Sequence, residues 1–158
     1  MITEAQSDHV HSKAIPDLIT KLLAERQEML VLFNHLMEMK PYPVVAPVQP
    51  LLQRFCQVLV DYAALGHFEV FACIEDNAKV AQCYRRVKCL AKQLYPRIIE
   101  TTQMALDFND HYDSDDRYRT WDTLGADLSR LGEHLATRID LEDRLISAFK
   151  LPVQASVQ

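Results

Sequence analysis

Three glycines and seven prolines are the only strong punctuation in this 158-residue chain. Most of the prolines fall where periodic apolar segments begin or end, and that arrangement reads as all-helical. Ile15, Leu18, Ile19, Leu22, Leu23, Leu30, Phe33, Leu36 and Met37 recur at steps of three and four, which predicts an amphipathic helix from near Pro16 to just before Pro41. The connector KPYPVVAPVQP that follows is too proline-rich for helix or inner strand. A second helix is expected from about Pro50, with Leu51, Phe55, Val58, Leu59, Tyr62 and Leu65 facing inward and Gly66 as a left-handed terminator. A short segment restarts at His67.

From Lys79 a third stripe of Val80, Tyr84, Val87, Ala91 and Leu94 runs to Pro96, which should break or kink it before helix resumes through IIETTQMALDF. A last helix is expected from Ser114 or Asp115 as N-cap to Pro152, carrying Leu124, Leu128, Leu131, Leu135, Ile139, Leu145 and Phe149. The predicted fold is therefore all-α: an antiparallel four-helix bundle with a short extra helix after the second long one. Residues 1–158 read as one domain, with frayed ends at about 1–12 and 151–158. A chain of this length can hide roughly 70% of its unfolded surface without disulfides or metal.

Composition narrows the chemistry. Cys56, Cys73, Cys83 and Cys89 form no CxxC pair and read as reduced core residues. The beginning MITEAQSDHVH lacks the charge and apolar run of an export signal, and no apolar stretch approaches the roughly 20 residues of a membrane span. A soluble, cytoplasmic protein is the expectation. The net charge of −5 argues against direct capture of nucleic acid and favours a basic protein partner. Charge is also segregated: residues 79–97 hold Lys79, Arg85, Arg86, Lys88, Lys92 and Arg97 without an acid, and residues 100–116 hold six acids without Lys or Arg.

Catalytic and metal motifs are missing. There is no Glu-x-x-His pair of the kind that builds di-iron sites, no phosphate loop, no GxSxG and no HExxH. Asp8-x-x-His11 and Asp107-x-x-x-His111 read as solvated faces, and His35 and His134 as surface or boundary histidines. Neither cofactor nor enzymatic activity is expected. Arg138 and Glu142 continue the spacing of the last apolar stripe. They read as a flanking i,i+4 ion pair, against the alternative of a polar network inside the bundle or in a partner-facing groove. Arg85, Lys88 and Lys92 align on one side of their helix, as a solvated face or as a seat for an acidic or phosphorylated protein.

On the second helix Arg54, Gln57 and Asp61 lie opposite the apolar face, so Asp61 is expected to be exposed. Beyond Gly66, His67 and Phe68 stand at a corner near Asp61 and Glu69. Such a mixture suits a protein-docking surface; on physics alone it equally fits Phe68 and Phe71 as core with His67 capping the preceding helix.

The stretch RFCQVLVDYAALGHFEVF closely resembles the FCQxLVDYxSAGHF signature of the Rsd/AlgQ family of bacterial anti-sigma factors. ERQEMLVLFNHLMEMKP, LYPRIIETTQMALDFND and LGEHLATRIDLEDRLI resemble, in order, the family's first helix, a later helix and its closing helix, so the resemblance covers roughly residues 10–150. Lys21-Leu22-Leu23 stands where the family has a tryptophan, and residues 75–93 match poorly. The resemblance implies stoichiometric, non-catalytic binding of the carboxy-terminal, −35-reading domain of the primary sigma factor by a monomer forming a one-to-one complex. It implies a partner surface that includes Asp61, His67 and Phe68, to which Arg54, Gln57 and Glu69 are added as neighbours. A second partner is implied for some members: the phosphocarrier protein HPr, or a regulator of stringent-response enzymes. From another class, a small helical-bundle metalloenzyme is the competing reading.

Overall fold

The computed structural model describes residues 4–42, 48–71, 74, 85–113 and 121–155. Four long helices make up almost all of it: α1 (Glu4–Glu38), α2 (Val48–Ala64), α3 (Arg85–Tyr112) and α4 (Leu124–Ala155). A π-helical segment, Leu65–Phe71, continues directly from α2. Each long helix lies along the next in the chain, and α1 closes the ring by meeting α4.

Side-chain pairs fix the directions. Phe55 meets the ring of Phe108 while His67 meets Thr102, so α2 and α3 run oppositely. Arg138 reaches Thr101 while Asp127 reaches Tyr112, so α3 and α4 do too. Arg26 pairs with Asp143, and Phe33 lies beside Gly132, which makes α1 antiparallel to α4. The result is the expected antiparallel four-helix bundle with its short extra helix.

Heptad spacing gives α1 its inner edge. Ile15, Leu22, Met29 and Leu36 are all buried, and a seven-residue step keeps one seam against neighbouring helices. Leu23, expected inside, is exposed, and Met29 and Leu32 take the inward places instead. From α2 the core takes Leu52, Phe55, Cys56, Leu59 and Tyr62, and from α4 Leu124, Leu128, Leu131, Leu135, Leu141 and Leu145.

Several expected boundaries fall elsewhere. Pro16 lies inside α1 and Pro96 inside α3, so the two expected stretches on either side of Pro96 are one helix. Both prolines are solvent-exposed. A proline's fixed φ is itself helical, and at an exposed position water can take the carbonyl deprived of an N–H partner. At its other end α4 passes through Pro152 to Ala155. Gly66 is not a left-handed terminator, since no glycine has positive φ among the described residues. Cys56 is buried in the core, but Cys89 is exposed. Lys79, Val80, Tyr84, Cys73, Cys83, the caps Ser114 and Asp115, and most of the proline-rich connector lie outside the described residues, as do the side chains of Asp8 and His11.

Among the described residues no helix is long and apolar enough to cross a membrane.

Candidate functional site

Asp61 projects from the last turn of α2 and is exposed, as its helical phase predicted. It sits where two shallow clefts meet. One, of about 370 Å³, is walled by Lys21 and Glu25 of α1, by Asp61, and by Phe68 and Glu69 of the π-helical segment. The other, of about 330 Å³, lies between α2 and the end of α3, with Gln57, Asp61 and Asp113 among its walls. Phe68 is 65% exposed, an unusual position for an aromatic ring with no need to face water.

The first cleft is electrostatically lopsided. Glu25, Asp61 and Glu69 supply three carboxylates against the single ammonium of Lys21. Partial burial pushes the Glu25 carboxyl above its ordinary range; Lys21 opposes this, and the charges of Asp61, Glu69 and Glu28 add to it. Oε2 of Glu25 is shielded from solvent and has no hydrogen-bond partner among the described residues. A cation brought to this cleft would relieve like-charge repulsion and supply the missing donors together.

Of the six residues singled out from sequence, Asp61, Phe68 and Glu69 share the first cleft, and Gln57 joins Asp61 in the second. Arg54 is exposed and engaged by Glu28 of α1 at 2.7 Å. His67 turns the other way. It is half-buried, its Nδ1 lying 3.2 Å from the Thr102 hydroxyl and its Nε2 3.1 Å from that of Tyr95. It neither caps α2 nor lines the cleft. Lys21 and Glu25 were not anticipated, because helical phase shows which side of α1 they occupy but not that the π-helical segment packs beside it.

Behind the cleft lies a buried polar network. Arg138 and Glu142 are 0% and 1% exposed, so the flanking-pair reading gives way to a network inside the bundle. The Arg138 guanidinium donates through Nη1 to the hydroxyls of Thr101 at 3.0 Å and Thr102 at 2.8 Å, and through Nη2 to the Ala63 carbonyl at 3.0 Å. Its Nε lies 3.2 Å from Glu142 Oε2, an ion pair in contact but off the line that a hydrogen bond requires. The other oxygen of Glu142 accepts from the Tyr62 hydroxyl at 2.5 Å and faces Arg26 at 3.5 Å. Burial pushes the Glu142 carboxyl up, and the Arg138 charge, the Tyr62 hydroxyl and Arg26 pull it back. An unpaired charge here would be costly, so each of the two ions requires the other.

On α3, Arg85 and Lys92 are exposed and Lys88 is half-buried, and none of the three walls the acidic cleft.

Comparison with known proteins adds an independent finding. Residues 1–150 match the profile of a family described as Regulator of RNA polymerase sigma(70) subunit, Rsd/AlgQ. A protein named Regulator of sigma D from Enterobacter sp. (strain 638) is 32% identical over 139 residues, spanning 82% of this chain and 78% of its own. Proteins of the same name from Escherichia coli (strain K12 / DH10B) and Shigella boydii serotype 18 are each 31% identical over 142 residues, spanning 82% of this chain and 81% of theirs. No solved structure matches the chain.

Proposed function

The chain belongs to the Rsd/AlgQ family of regulators of the RNA polymerase sigma(70) subunit, and on that premise we propose that it is a non-catalytic anti-sigma factor of the cytoplasm. It binds the primary sigma factor's carboxy-terminal helix-turn-helix domain one-to-one as a monomer. Holding that basic domain hides both its −35-reading surface and its contact with core polymerase, leaving core enzyme to other sigma factors.

One observation carries the reading. The cleft between α1, α2 and the π-helical segment sets three carboxylates around an exposed phenylalanine. A basic helix offers an arginine to the acids and apolar surface to the ring, and an aromatic anchor within a charged rim is how protein interfaces concentrate their binding energy. Asp61, between the two clefts, is the expected partner of that arginine. Phe68 and Glu69 flank it, and Gln57 extends the surface toward α3. Arg54, held by Glu28, lies on the rim, and His67 contributes from behind rather than by contact.

The test is calorimetric titration with the carboxy-terminal domain of the same organism's primary sigma factor, for the wild type and for Asp61→Ala. Truncating one side of a desolvated charge pair costs about 2–5 kcal/mol, so a folded variant should bind at least tenfold more weakly, with wild-type saturation near one-to-one. Unchanged affinity in the variant would keep the function and move the site. Absence of wild-type binding to both the domain and full-length sigma would remove the anti-sigma reading.

A second reading rests on the basic residues of α3. Arg85 and Lys92, with Lys88 beside them, offer cations to an acidic or phosphorylated protein, of which the phosphocarrier HPr is the candidate. Titration with HPr, with and without phosphorylation, against an Arg85→Glu variant tests it.

A further inference from the structure

Arg138 is the most deeply buried charge in the described structure, and it is placed against the one segment that departs from α-helical geometry. Its Nη2 donates to the carbonyl of Ala63, in the last turn of α2. Two residues into the π-helical segment, a Cβ on Gly66 would lie 2.8 Å from the same nitrogen. The guanidinium therefore sets its Nη2 edge against backbone at the point where α2 changes geometry. Departures of this kind from an α-helix are found where a side chain or a function holds them.

A hydrogen-bonded relay runs on from Arg138. Its Nη1 can only donate, so the Thr102 oxygen accepts from it at 2.8 Å. The Thr102 hydroxyl proton is then free for Nδ1 of His67 at 3.2 Å. In the sense we infer for the relay Nδ1 accepts, which leaves the neutral ring its proton on Nε2, to donate to the Tyr95 hydroxyl at 3.1 Å. The ring of Phe68 lies tilted against the imidazole, centroids 4.6 Å apart. Arg138 thus holds the Ala63 carbonyl two residues before the π-helical segment and reaches His67 within it through Thr102, and Phe68 and Glu69, which follow His67, line the acidic cleft.

We infer that Arg138 is the positioning residue of the docking surface: from inside the bundle it sets the π-helical geometry that presents Phe68 and Glu69 beside Asp61. The inference rests on the proposed sigma-binding role of that cleft, and on the geometry above for its structural half.

Removing Arg138 alone strands Glu142 and risks the fold, so the test uses two gentler variants. Arg138→Met with Glu142→Leu replaces the ion pair by apolar groups of similar volume, a change that buried pairs commonly tolerate. Thr102→Val removes only the relay. Expected are a cooperative fold in both, loss of the single Nε2–H tautomer of His67 in nitrogen-15 NMR, amide exchange in 65–71 accelerated at least tenfold in the double variant, and sigma-domain affinity reduced at least tenfold in it. A folded double variant with wild-type tautomer and exchange would overturn the inference, as would altered exchange with undiminished affinity. If the wild type does not bind the sigma domain, the proposed function fails instead, and the tautomer and exchange measurements still decide whether Arg138 sets the segment.

Discussion

Gly66 and His67 are adjacent, yet they serve the buried guanidinium in different ways. Gly66 serves by having no side chain. Its added methyl would meet Nη2 of Arg138 at 2.8 Å and Glu142 Oε2 at 3.4 Å. A flexible arginine could swing aside, but this one is tied to Thr101, Thr102 and the Ala63 carbonyl. Gly66→Ala should therefore lose about 1–3 kcal/mol, the usual cost of overpacking, read as a lower urea midpoint with an unchanged m-value. His67 serves by remaining neutral. Burial first, and then the Arg138 charge, hold its pKa below the ordinary 6.5. The unfolded chain therefore takes up this proton first as pH falls. The His67 contribution to stability is complete above about pH 6.5 and declines from there down to the folded pKa, where the slope ends. An NMR titration should find the ring of the native protein more than half neutral where a free histidine is half-protonated. A native midpoint at or above 6.5 would contradict the geometry around it.

The helices themselves were largely legible in the chain, because an amphipathic stripe several turns long survives errors at its ends. Their edges were not. Pro16 is expected as a helix start and Pro96 as a break or kink, yet both lie inside helices on exposed faces where a lost hydrogen bond is tolerated. Adjacent apolar residues also blur phase: Leu22 and Leu23 are separated by about 100° around α1, and only packing decides between them. Leu22 is buried and Leu23 is among the exposed large side chains. Leu22→Ala should cost about 2–5 kcal/mol, while Leu23→Ala should stay within about 0.5 kcal/mol. Chemical denaturation of the two variants separates them, and comparable losses would mean that α1 is rotated from the orientation described. The same limit applies to the site. Asp61 was placed correctly by the phase of its own helix, but Arg138 was read as flanking although it continues the 124, 128, 131, 135 spacing. A guanidinium belongs in a core only if other elements supply acceptors, and these come from Ala63, Thr101 and Thr102 on two other helices. No pattern along α4 could show that.

The assembled bundle carries a net charge of −5, and its acidic cleft is walled without Arg85, Lys88 or Lys92, so charge is arranged and not merely summed. For a basic partner this has a kinetic consequence. The carboxylates of Asp61 and Glu69 are exposed, and interactions between exposed charges are screened over about 10 Å at 0.1 M salt and about 3 Å at 1 M. Steering toward the cleft should therefore act mainly on the association rate, whereas the dissociation rate should follow the burial of Phe68. In surface plasmon resonance with the sigma carboxy-terminal domain, the association rate should fall steeply as salt rises, and the dissociation rate should change little. Glu69→Gln should flatten the salt dependence of association while leaving dissociation nearly intact, because it removes a charge at the edge of the cleft. Phe68→Ala should do the reverse, accelerating dissociation several-fold with an unaltered salt slope, since the ring contributes contact and no field. If Glu69→Gln and wild type share one salt slope while Phe68→Ala dissociates normally, the partner lands elsewhere on the bundle, and the basic face of α3 becomes the surface to test next.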